Sequence, residues 1–164
     1  MATVPGAITA AQREISEGER QAIRTIKVFI SLGFQGEFLF LVLGLIMFPH
    51  NGPLVWRLAW TLGLCGIGMG AAVGGIAYLV GSRFRPRSRA AFIVTAISAA
   101  ASYSVCQTLC WGLDHNVGLN YWGSVDMPAL FLIKGYTAAI AGGVLGAYLL
   151  HTQTGSRMLD RLRM

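Results

Sequence analysis

The chain has 164 residues and a net charge of +6, with 54% hydrophobic and 12% charged residues and a mean hydropathy of +0.57. A soluble domain carries about 25% charged residues, so the composition argues against a water-soluble fold and points to lipid as the main solvent. The basic excess sits beside apolar blocks, which suits anionic lipid head groups and gives no support to nucleic acid as a partner.

The expected fold is all-α: a polytopic integral membrane protein, a four-transmembrane-helix bundle with both termini cytoplasmic. Residues 1–27 read as a cytoplasmic lead. In "SEGE" the Ser-x-x-Glu spacing of Ser16 and Glu19 has the pattern of a capping box, so Ser16 is a candidate start for a helix that runs into the first span; an exposed arm is the alternative. A membrane domain of residues 28–150 follows, with spans of about 28–48, 54–80, 90–111 and 127–150. Each is long enough to cross a bilayer, for which about 20 residues suffice. Residues 151–164 form a basic cytoplasmic tail.

The first block starts late, after a mixed-charge segment, and ends in "FPHNGP" without a small-x-small site, so it reads as a span rather than a removable signal. Its link to the second block is very short, which implies a tight antiparallel hairpin. Arginines 83, 85, 87 and 89 fill the second link. Basic residues gather on the cytoplasmic side, which places these four there as contacts for anionic lipid. All four tryptophans, Trp56, Trp60, Trp111 and Trp122, then fall near the opposite interface, where amphipathic rings settle. The third link, "GLDHNVGLNYWGSVD", is the longest. A weak internal repeat is also visible, "GSRFRPR" after the second block against "GSRMLDR" after the fourth; duplication and chance both account for it.

Lipid chains are as apolar as leucine, so spans associate through close packing and interhelical hydrogen bonds, and small residues permit that approach. In the second span Gly63, Gly70, Gly74 and Gly81 share a stripe flanked by Gly66 and Ala77, and Gly68, Ala71, Ala72 and Gly75 form another. The fourth span repeats the device with Gly135, Ala138, Ala139, Gly142, Gly143 and Gly146. Two stripes on one helix place it centrally, or leave one stripe for a partner subunit.

Glu37 lies inside the first span. An ionised residue at a span centre costs about 2.5–3.5 kcal/mol on insertion scales, so such residues face protein or a cavity. Lys134 lies well inside the fourth span. At 1.5 Å per residue Glu37 stands about 16 Å, and Lys134 about 9 Å, below the outer ends of their spans. An intramembrane polar layer of Glu37, Lys134, Gln107 and Arg57, with Tyr103 or Tyr136, is the expectation. Its structural role is to fix which helices meet; its alternative role is an outward-open wet pocket that exchanges protons or holds a cation.

No catalytic constellation is present. Cys65, Cys106 and Cys110 lack Cys-x-x-Cys spacing and do not match the paired outer-side cysteines of four-span disulfide-forming quinone reductases. His50, His115 and Asp114 are weak metal candidates, and an axial role toward haem or chlorin stays open, but no metal-ligand spacing recurs. No cofactor is expected. Small multidrug exporters share four spans and a first-span carboxylate; that likeness rests on Glu37 alone, and Lys134, the longer lead and the longer third link depart from it.

The chain is therefore read as a non-enzymatic accessory or assembly subunit held to other membrane proteins, or to itself, by glycine-rich faces. A small homo-oligomeric transporter or channel using Glu37 and Lys134 is the alternative, and pigment, haem or metal binding a minor one. The membrane is a bacterial plasma membrane or that of a thylakoid or organelle.

Overall fold

The computed structural model describes the backbone of residues 5–47, 52–117 and 128–164, and the side chains of 17–36, 38, 39, 42, 46, 66–109 and 135–164. These residues form helices and turns with no strand. The elements are α1 (Pro5–Met47), α2 (Gly52–Gly81), α3 (Arg89–Val117), α4 (Pro128–His151) and a short α5 (Gln153–Arg161). The fold is all-α, and the four long helices lie over the four apolar blocks.

Two local expectations change. Helix α1 begins at Pro5 and passes through Ser16 without a break. Proline suits the first helical position, where its missing N–H costs nothing, and the alanines that follow have the highest helix propensity. The two "GSR" segments also differ in structure: Gly81 ends α2 and residues 82–88 turn, whereas Gly155 to Arg161 are helical. Pro86 explains the contrast, since it lacks a backbone donor and turns Arg85 away from helical geometry. Ser88 then restarts the chain, its hydroxyl accepting from the Ala91 N–H at 3.1 Å as a helix cap does.

Each long helix packs on the next, and α4 returns to α1. The contact pairs run antiparallel. Along α1 and α2, Gly74 abuts Ile26 and Gly70 abuts Phe29 and Ile30, while Gly33 meets Gly66. Along α3 and α4, Gly143 lies against Ala96 and Ala100, and Gly135 against Gln107. Methyl groups are missing wherever two backbones touch, as close approach without side chains requires. The core is correspondingly lean: Phe29, Val73, Ala77 and Ala99 are buried, with Leu32, Tyr103 and Leu150 packed around them.

The outward faces are apolar. Phe38, Leu39, Ile93, Ile97, Leu109 and Ile140 are each more than half exposed. Among the described residues one stretch, Arg89–Leu109, is long and apolar enough to cross a membrane, and only 22% of its window is buried. Gly66–Gly81 is a shorter apolar stretch of the same kind.

Candidate functional site

The side chains of Glu37, Arg57 and Lys134 lie outside the described residues, as do those of His115, Asp114, Cys65 and Cys110, together with His50 and Gly63. Gln107, the remaining member of the expected polar layer, is half-buried and packs on α4. A methyl at Gly135 would come within 2.8 Å of its Cγ and 3.1 Å of its Nε2. Gln107 thus sits on the turn of α4 that carries Lys134. Close by, the Thr108 and Tyr136 hydroxyls are 3.0 Å apart. With Ser104, Val105 and Leu109 they line a shallow, mostly apolar groove of about 400 Å³.

Tyr103 reaches across to α1. Its hydroxyl donates to the Phe29 carbonyl at 2.9 Å, and the two rings lie 6.1 Å apart, tilted by 59°. Tyr103 therefore ties α3 to α1 across the bundle. Cys106, one turn along, carries a free thiol. Among the described residues no group of three metal-ligating side chains converges.

The glycine stripe of α2 is divided between two neighbours. Gly66, Gly70 and Gly74 face α1, whereas Gly81 faces α3, where a methyl would lie 2.8 Å from the Thr95 hydroxyl. In the second stripe the two glycines face open space among the described residues. A methyl at Gly68 or Gly75 would meet nothing within 4 Å, and Ala72 is exposed. On α4, Gly146 receives the Phe29 ring and Gly143 touches α3 backbone, while Gly142 makes only ordinary contact with Tyr103 at 3.6 Å.

Among the described residues, the best-defined polar assembly lies where α5 meets α1 and the α2–α3 turn. Arg24 of α1 donates to Asp160 of α5 at 2.6 Å and to the Ser156 carbonyl at 3.1 Å. Arg87 reaches the Ser156 hydroxyl at 3.4 Å from a left-handed backbone conformation, φ 61°. It is thus turned toward α5, although it stays exposed like Arg83, Arg85 and Arg89. Arg24 Nε is buried and has no acceptor among the described residues. Thr95, almost fully buried, bonds His151 Nε2 at 2.9 Å, and burial holds the His151 imidazole below its ordinary pKa.

Helix α5 owes its position to local chemistry. Thr152 is extended, and its hydroxyl accepts from the Gly155 N–H at 3.0 Å. Gly155 folds against the last turn of α4, where a methyl would stand 2.5 Å from Leu149 Cα. Leu159 is buried beneath. The sequence did hold one signal for this junction: Asp160 is the lone acid in an arginine-rich tail. The assembly clamps the end of α4 to α1 and to the α2–α3 turn.

Compared with known proteins, the chain matches no family model, no curated protein and no solved structure.

Proposed function

We propose that the chain is a multi-pass integral membrane protein whose four spans, about 28–48, 54–80, 90–111 and 127–150, lie along α1 to α4, with His151, α5 and both termini on the cytoplasmic side. We infer that it is a non-enzymatic accessory or assembly subunit, packing against another membrane protein through the outward face of α2. The observation that carries this reading is the division of the α2 glycines. One set is consumed against α1, while Gly68, Ala72 and Gly75 leave a shallow face with no neighbour at 4 Å for either glycine. Ile67 and Ile76 flank that face and are exposed, and exposed Leu79 closes the row one turn beyond Gly75. Ridges beside a row without side chains are what a second apolar helix needs for close approach, because packing rather than water exclusion drives association in lipid. Membrane embedding is supported by the coincidence of the long helices with the apolar blocks, by the apolar outward faces, and by the arginines grouped at one end.

The test is purification in mild detergent with the native complex retained, followed by Gly68→Leu and Gly75→Leu. The expected result is loss of the co-purifying protein with the helical content and melting of the isolated chain unchanged. Retention of the complex by both variants would refute the assignment of this face. The second reading, a homo-oligomeric transporter, is favoured by Gln107 lying on the α4 turn next to Lys134. It predicts that Glu37→Gln abolishes proton-coupled flux in vesicles while leaving complex formation intact.

A further inference from the structure

Helix α5 carries three chemically distinct sides. At 100° per residue, Gly155, Ser156 and Leu159 make the buried side. Met158 and Leu162 lie together on one flank, 48% and 66% exposed. Asp160 and Gln153 occupy the opposite flank, and Arg157 and Arg161 project outward between the two. The Arg24–Asp160 pair and the Arg87–Ser156 contact stop the helix from turning about its own axis, so the Met158/Leu162 flank is held in a fixed direction. Gly155 keeps α5 at the level where α4 ends, and the α2–α3 turn, reached through Arg87, adds exposed Phe84 beside Arg83 and Arg85.

Resting on the membrane reading above, we propose that α5 is an interfacial helix that docks onto the anionic head-group face of the cytoplasmic leaflet. Met158 and Leu162 enter between the head groups, and Arg157, Arg161 and Arg163 pair with lipid phosphates. Charge decides the occupant. The only acid of the tail, Asp160, is already engaged by Arg24, so the arginines around the apolar flank have no counter-charge of their own. Apolar residues bordered by arginines are the pattern of a helix lying in the interface plane. The Arg24–Asp160 pair then faces away from the bilayer, in keeping with the side-chain exposure of Asp160, 65%.

The test uses the full chain, its native cysteines replaced by alanine, spin-labelled at Met158→Cys or Gln153→Cys. It is reconstituted into vesicles of zwitterionic lipid alone or with added anionic lipid. The expected result is a label at 158 that is accessible to oxygen and shielded from an aqueous nickel complex when anionic lipid is present, with the label at 153 remaining in water. Arg157→Gln and Arg161→Gln each lower the local docking equilibrium about fivefold, the effect of one basic residue at an anionic surface. Equal water exposure of the two labels would overturn the proposal. So would dipolar broadening at 158, which would assign the flank to a second copy, or shielding only when a native partner protein is retained. On the unmodified chain, amide exchange across 153–161 should slow on adding anionic lipid, and an unchanged rate is equally fatal. Failure of the chain to float with vesicles would instead remove the membrane reading itself.

Discussion

Replacing Gly70 by alanine adds one methyl group where α1 backbone already stands, 2.6 Å from Ile30 Cα and 2.8 Å from Ile30 N. Ordinary contact for such a carbon begins at 3.4 Å and the Phe29 carbonyl oxygen stands nearer still than Ile30, so α1 must retreat by about 1 Å, since backbone cannot rotate aside. A gap of that size forfeits about a quarter to a half of the dispersion well for each atom pair it opens, and the same seam includes Gly33, Gly66 and Gly74. Overpacking of this kind costs about 1–3 kcal/mol. Alanine also raises helix propensity by up to about 1 kcal/mol, which would blur a comparison with the natural chain. Gly75→Ala supplies the control, because its methyl enters open space on the same helix and carries the same propensity gain. The two variants should therefore differ by the steric cost alone. For a chain of this size that corresponds to a melting temperature about 2–12 °C lower for Gly70→Ala than for Gly75→Ala. Thermal unfolding in mild detergent, followed by circular dichroism, measures the difference. Equal melting, or a higher value for Gly70→Ala, would refute the backbone-contact account of the α1–α2 seam.

Other expectations follow from the same contacts. Tyr103→Phe removes the hydroxyl that donates to the Phe29 carbonyl and keeps the ring, so it should cost about 0.5–1.5 kcal/mol in the same melting assay without loss of helix. Asp160→Asn weakens a pair whose acid is largely exposed; such pairs contribute at most about 1 kcal/mol, so global melting should hardly move while amide exchange in 153–161 quickens. His151 is half-buried with its pKa lowered from 6.5, so the unfolded chain takes up a proton more readily than the folded one. Stability should then fall as pH drops below 6.5, and not above it, and His151→Gln should remove that part of the acid-side decline when the two melting profiles are compared.

The positions of the long helices, though not the early start of α1 at Pro5, were legible because block length, link shortness and small-residue spacing are properties of neighbouring residues. Hydrophobic runs long enough to span lipid mark the helices, and a short link forces its flanking helices to be antiparallel neighbours. The stripes of α2 were visible for the same reason: helical periodicity states which residues share a face. Periodicity says nothing of how far each helix is rotated toward its neighbours. Only packing decided that Gly66, Gly70 and Gly74 serve α1 while Gly81 serves Thr95 of α3, and that Gly68 and Gly75 are left facing outward. Periodicity likewise did not name the Phe29 carbonyl as the partner of the Tyr103 hydroxyl. Arg24 and Asp160, separated by 136 positions, could not be paired from local spacing at all. Their meeting depends on Gly155 folding α5 back onto α4, and a contact across the whole chain is set by the assembled backbone rather than by the residues that make it.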